Sequence, residues 1–158
     1  MRQEMVGDLA AELLFGEASP LYMRLYEEGV IDGSFGGGFE NLEGMAILTA
    51  SGDTEDPQAV RDAILAEAAR LLETGIDPEA FLRAKRSALG RRVRGLDSFD
   101  STCFRLCAYH LTGYDYFCFP ALYRQIQAEE LLDFLRKAIT PQRLSLSVIQ
   151  PLKQEDTQ

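Results

Sequence analysis

LLFGEASPLYMRLYEEGVIDGSFGGGFENLEGMAILTASG, residues 13 to 52, is the stretch whose reading decides the fold. Its apolar start runs into Gly16, and Ser19-Pro20 then restarts a helix with Leu21, Tyr22, Leu25 and Tyr26 at helical spacing. A serine offers its side-chain oxygen to the free N–H groups of a first helical turn, and a proline just inside the start has its φ already set and no N–H to leave unpaired. Gly29 ends the helix, as a glycine can by turning into the left-handed region. Two strand-like runs follow. The first is glycine-rich, with Gly33, Gly36, Gly37 and Gly38 around Phe35 and Phe39, and the second, Met45 to Ala50, is short and nearly continuously apolar. Asn41, Glu43 and Gly44 supply turn residues between them, so the stretch predicts helix, helix, hairpin.

Working outward, Met5, Val6, Leu9, Ala10, Leu13 and Leu14 fall at steps of three and four, which predicts a helix from Gln3 to Phe15 with one buried stripe. A strand normally precedes such a helix in an α+β domain, so a helix this close to Met1 is expected of a piece of a longer polypeptide. After the hairpin, Asp56-Pro57 and Asp77-Pro78 are two successive helix starts. The first helix buries Val60, Ile64, Ala68, Leu71 and Leu72 up to Gly75, and the second points Phe81, Leu82, Leu89 and Val93 inward up to Gly95. Ser98 caps a third, Phe99 to Leu111, ended by Gly113. Shorter helices are expected around Pro120 to Ile126 and from Ala128 to Ile139. Beyond Thr140-Pro141, Leu144, Leu146 and Val148 alternate with Ser145 and Ser147, which predicts a terminal strand closed by Pro151. Helices segregated from a small antiparallel sheet define an α+β fold. The expected layout is a single domain or domain fragment over 1–152 and a disordered tail over 153–158.

Composition bounds the function. The net charge of −9 works against general nucleic-acid binding, because neutralising phosphates needs a surplus of Lys and Arg. No apolar run is long enough to span a bilayer, and the start, MRQEMVGDLAAELLF, lacks the apolar core of a signal peptide. A cytoplasmic location is the expectation, with no nucleic-acid or membrane partner. Three cysteines, an odd number, argue for reduced thiols rather than a disulfide framework.

Two clusters look chemical. Cys103, Cys107 and His110 stand at i, i+4 and i+7 on one helical face, with Cys118 just beyond, and could hold zinc. The same positions also continue the apolar stripe of Phe99, Cys103, Leu106 and Cys107, which would make the thiols core groups beside a surface histidine. Arg83, Lys85, Arg86, Arg91, Arg92 and Arg94 concentrate positive charge on one helix. That is either a docking face for an acidic partner or a solvated face whose late arginines favour the helix C-terminus. SFGGGF lacks the Gly-Lys-Ser/Thr ending and following helix of a phosphate loop, so close backbone approach or a bulge is expected there.

Leu13, Leu14, Phe15, Gly16, Ser19, Leu21, Leu25, Tyr26, Glu27, Glu28, Gly29, Ile31 and Asp32, followed by Gly52, Asp53, Thr54, Asp56 and Pro57, keep an order and spacing that resembles the C-terminal half-domain of the pitrilysin/insulinase family of zinc peptidases. The likeness spans about Val6 to Pro151 and is greatest to the paired bacterial members. The resemblance implies a fold like that of a mitochondrial-processing-peptidase half-domain, in a clamshell that closes over an extended peptide. Family peptidases hold zinc with an inverted His-x-x-Glu-His motif and a distant Glu. With one histidine, this chain cannot supply that site. The resemblance therefore implies no cofactor here, with any zinc in the N-terminal part of a parent protein or in a partner. The family's C-terminal halves place an Arg after a Leu and a Tyr near the hairpin to hold the substrate backbone. Here Leu25 is followed by Tyr26, and Asp32 stands near the Tyr position. Tyr26, Asp32, Ser34 and Phe35 are the candidate chamber-wall residues. The expected role is a non-catalytic domain that encloses a peptide chamber or pairs with the remainder of its polypeptide or a homologous subunit. The alternatives are a subunit-interaction module in a homologue without proteolysis, and a Cys/His metal module.

Overall fold

The computed structural model describes residues 1–42 and 45–150. The expected turn residues Glu43 and Gly44, the closing Pro151 and the tail 153–158 lie outside the described residues. The chain runs α1 (Arg2–Phe15), α2 (Pro20–Glu27), β1 (Gly36–Leu42), β2 (Met45–Ser51), α3 (Pro57–Thr74), α4 (Pro78–Arg94), α5 (Phe99–Leu111), α6 (Phe119–Gln125) and α7 (Ala128–Ala138). Single 3-10 turns join α4 to α5 and precede α6. This is the expected α+β class, mostly helical with a small antiparallel sheet.

The starts are where the sequence placed them. Ser19 Oγ accepts from Tyr22 N at 3.0 Å, Asp56 from Ala59 N at 3.0 Å and Asp77 from Ala80 N at 2.8 Å, each with proline next in line. Ser19 is itself buried and donates to Leu14 O at 2.8 Å, so one hydroxyl closes α1 while it opens α2. Gly29 turns out of α2 at φ 69, a conformation that costs most side chains about a kcal/mol or more.

α1 is the axis of the molecule. The C-terminal half, Ala10, Ala11, Leu14 and Phe15, packs with α2, Phe35 and α3, and with Leu135 of α7. The N-terminal half, Met5, Val6 and Leu9, packs with Ala84 and Ala88 of α4, with Tyr116, Phe119 and Tyr123, and with Leu131 of α7. A helix buried against neighbours on several sides needs apolar residues beyond one stripe, which is why Gly7 and Ala11 are buried as well.

β1 and β2 pair antiparallel with Phe39 opposite Leu48 and Gly37 opposite Ala50. Those pairs face the helices: Phe39 meets Phe134 edge-on at 5.4 Å, and a methyl added at Gly37 would strike the Phe15 ring and the Thr49 carbonyl oxygen. Close backbone approach, the reading given to SFGGGF, is thus realised at Gly37, while Gly36 and Gly38 have open space where a side chain would stand.

Three expectations are corrected. Leu144 to Val148 forms no strand: the sheet contains only β1 and β2, and among the described residues Ser145 to Gln150 make no backbone hydrogen bond to another backbone group. Alternation alone cannot make a strand without a neighbour to pair with. On α4, Leu82 and Val93 are exposed at 46% and 50%, and the buried line is Ala84, Ala88 and Arg92. Small side chains let α1 and α4 approach closely, with Phe81 and Leu89, as expected, packed partly buried against the same core while Leu82 and Val93 turn away. On α5 no residue is fully buried, and Phe99 and Phe104 are exposed at 80% and 74%.

Candidate functional site

The loop from α2 to β1 is tied to the loop from β2 to α3. Asp32 accepts from the Ser34 backbone N–H at 2.8 Å and from the Ser34 hydroxyl. These two bonds hold the Asp32 carboxyl below its usual range. Ser34 Oγ in turn accepts from Asp53 N at 2.9 Å, and Thr54 Oγ1 donates to Val30 O at 2.7 Å. The base of the hairpin is fixed by short polar side chains, each satisfying a nearby backbone group.

Of the four candidate wall residues, Tyr26, Asp32 and Ser34 are exposed around this base, with Tyr26 stacked on Tyr22 at 5.8 Å. Phe35 is not on the surface. It is 7% exposed and lies against Phe15 and Tyr22 at 6.3 and 6.2 Å, so its ring belongs to the core. Above the base, the hairpin face turned away from the helices carries Glu40 beside Ile47, and Thr49 and Ser51 opposite glycines. All four side chains are exposed.

Cys103, Cys107 and His110 do share one face of α5, but they face outward: Cys103 is half-buried, and Cys107 and His110 are exposed. The core reading of the thiols is therefore corrected as well. Cys118 lies 3.5 Å from Asp115 Oδ2, and that carboxylate pushes its thiol up from its ordinary value. Among the described residues no three His, Cys, Asp or Glu side chains converge as metal ligands. A catalytic zinc needs three protein ligands and an open position. A lone exposed imidazole does not fit that demand.

Three of the six basic side chains on α4 reach other elements of the molecule, while Arg83 pairs with exposed Glu79 of the same helix and Arg86 and Arg94 are exposed. Lys85 Nζ donates to Ile126 O at 2.9 Å and Arg124 O at 3.2 Å, closing the C-terminus of α6. Arg91 pairs with Glu12 at 2.6 Å. Arg92, one of the set expected on a docking or solvated face, is instead buried. Its guanidinium, one-tenth exposed, bonds Asp8 at 2.7 Å, Glu4 at 2.8 Å and the Tyr123 hydroxyl at 3.1 Å. Tyr109 completes the cluster by donating to Glu4, and burial together with that bond pushes its phenol up to about 12. The available signal was spacing: Arg92 continues the small-residue line of Ala84 and Ala88 at steps of four. Every group in this cluster has a partner, as a structural lock between α1, α4, α5 and α6 requires.

A two-stranded antiparallel hairpin backed by helices on one face defines an α+β half-domain. The chain belongs to the Peptidase M16 inactive domain family, whose profile matches residues 2–88, more than half of its length. It is 26% identical over 153 residues to an uncharacterized zinc protease, YmfH, of Bacillus subtilis (strain 168), covering 96% of this chain and 35% of that protein. Among solved structures it resembles a protein described as an M16-like peptidase from Alicyclobacillus acidocaldarius, with a TM-score of 0.79 and 24% identity over 86% of this chain and 33% of that one. A protease from Helicobacter pylori aligns with a TM-score of 0.69 at 14% identity, over 87% of this chain and 35% of that one. The chain thus spans about a third of the length of the relatives it matches.

Proposed function

We propose that this chain is the non-catalytic C-terminal domain of a zinc metallopeptidase-like protein, and that its open hairpin face forms part of the wall of a peptide-binding chamber. One observation carries the reading: helices cover the inner face of the hairpin, where Phe39 meets Phe134, while Glu40, Ile47, Thr49 and Ser51 on the other face are exposed. Tyr26, Asp32 and Ser34 extend this surface at the base of the hairpin. Its mixed polar and small side chains suit a surface that an extended peptide slides over rather than one that grips a particular sequence. Zinc, in this reading, is held by residues of another domain or partner. The exposed Phe99 and Phe104 favour a second reading, a module for pairing with a homologous domain.

A photocrosslinking side chain at Thr49, in the protein expressed from its own gene, tests the first reading. It should capture an added unstructured peptide, whereas the same probe at Glu73, exposed at the end of α3, should not. Equal capture at both positions would refute the chamber wall. Capture of a companion domain at Phe104, with no peptide at Thr49, would favour pairing.

A further inference from the structure

α5 is lightly held. None of its residues is fully buried, and Phe99, Phe104 and Leu111 are exposed. The core it touches is built without it: Met5, Leu9, Ala88, Phe119 and Leu131 come from α1, α4, α6 and α7, and α5 adds only half-buried Leu106 and Tyr109 at the margin. Its polar attachments are as few. Thr102 donates to the carbonyls of Gly95 and Leu96, and Arg105 to the Tyr116 hydroxyl at 3.1 Å, all three in the 3-10 turns that flank the helix. Among the described residues only the Tyr109 hydroxyl ties an α5 side chain to α1 and α4, donating to Glu4 and accepting from Arg92 at 3.4 Å.

Both ends of the helix can act as joints. The 3-10 turn Gly95–Asp97 leads into it, and Gly113, at φ 78, leads out. Toward the hairpin α5 faces a groove of about 1390 Å³, with Phe104, Arg105 and Ala108 on one wall and Phe39, Ala46 and Leu48 on the other, so it has room to move. An element with few buried apolar contacts opens at a smaller free energy than the fold as a whole.

We infer that α5 lifts from the molecule as a separate unit, with the Tyr109 hydroxyl as its latch. Lifting breaks the Tyr109 bonds, parts its ring from Tyr116 at 5.2 Å and withdraws Leu106. The remainder stands, because Arg92 keeps Asp8 at 2.7 Å, Glu4 at 2.8 Å and the Tyr123 hydroxyl at 3.1 Å, and the buried side chains of both cores keep one another. The groove changes with the latch, since Glu4 and Tyr109 both line it. Closed, a phenol caps the Glu4 carboxylate; lifted, the carboxylate accepts from water instead.

Native-state amide exchange on the polypeptide expressed from its own gene, at rising urea below the unfolding midpoint, tests the inference. The α5 amides should exchange about 100-fold faster than those of α1 and α7, with a shallower dependence on urea, because lifting exposes little surface. Ile64→Val lies in the core to which α5 contributes no residue, and it weakens the closed and lifted forms alike. It should speed exchange in α1 and α7 by about fivefold and leave α5 unchanged. Tyr109→Phe removes the latch and should speed α5 by about tenfold. α5 amides that share the rate and urea slope of α1 would overturn the inference. So would an Ile64→Val effect equal in α1, α5 and α7, or a Tyr109→Phe variant whose α5 exchanges no faster. If a variant fails to fold, the rates and slopes of the native polypeptide decide. None of these outcomes depends on whether the hairpin face touches peptide.

Discussion

Replacing Arg92 by methionine removes a charge while keeping an unbranched apolar stem in its place, so the loss reports the ionic cluster rather than a cavity. In the native chain the guanidinium is one-tenth exposed and serves both Glu4 and Asp8, whose side chains are 22% and 28% exposed. Breaking a buried pair by removing one partner costs about 3 to 5 kcal/mol. The residual exposure of both carboxylates lets water replace part of what is lost, which places Arg92→Met near the lower end, about 3 kcal/mol. With a urea slope of about 2 kcal/mol per molar, the unfolding midpoint should fall by about 1.5 M. Acid supplies an internal control. Burial holds the Asp8 carboxyl above its ordinary range, against the pull of Arg92. A carboxyl raised in the folded state favours folding most below its unfolded pKa, and that advantage is lost as pH rises through the folded value. Removing Arg92 raises the folded value further, so the deficit of the variant should be greatest at neutral pH and shrink toward about pH 4. A midpoint shift below about 0.3 M, or a deficit unchanged between neutral and acid pH, would refute the reasoning.

Three further outcomes are expected. Gly37→Ala should destabilise by about 1 to 3 kcal/mol, because its methyl meets the Phe15 ring, whereas Gly38→Ala, with open space around it, should be near neutral in the same thermal melt. Glu130→Gln should cost less than about 1 kcal/mol, since its 2.8 Å pair with Arg2 is about two-fifths exposed on the Arg2 side. Arg2 lowers the Glu130 carboxyl, so this contribution is present above the unfolded pKa and lost as pH falls through the folded value, and the variant should show a flatter acid limb. In an absorbance titration Tyr109 should ionise at about 12, and Tyr109→Phe should remove its share of the signal there. The neutral phenol is the form the fold favours, so its stabilising effect is complete below the unfolded pKa and is lost as pH rises through about 12.

The starts of the helices were legible because capping is local chemistry: Ser19, Asp56, Asp77 and Ser98 each bond an amide three residues on, and no distant contact is needed to place them. The family resemblance was legible for a related reason, since the residues that carry it are the turns and caps between α1 and α3. The facing of α4 was not. Leu82 and Val93 read as core by apolarity, but the helix packs through Ala84 and Ala88, and only knowledge of how near α1 lies would prefer the small residues. Arg92 escaped for the same reason, because a buried cation is set by partners 84 and 88 positions away in sequence. Phe35 stood as a chamber-wall candidate on the family resemblance, and tertiary packing against Phe15 and Tyr22 took its ring inside. The strand expected at Leu144 to Val148 lacks a neighbour rather than a propensity.

α5 has a practical consequence for anyone handling this polypeptide. With Phe99, Phe104 and Leu111 exposed at 74% or more, it is attached mainly through half-buried Leu106 and Tyr109, the latter stacked on Tyr116 at 5.2 Å. Such a greasy flank will bind fluorescent dyes that light up on oily surfaces and will drive precipitation when stocks are concentrated. Mild detergent, or serine at positions 99 and 104, should keep preparations clear without disturbing the interior.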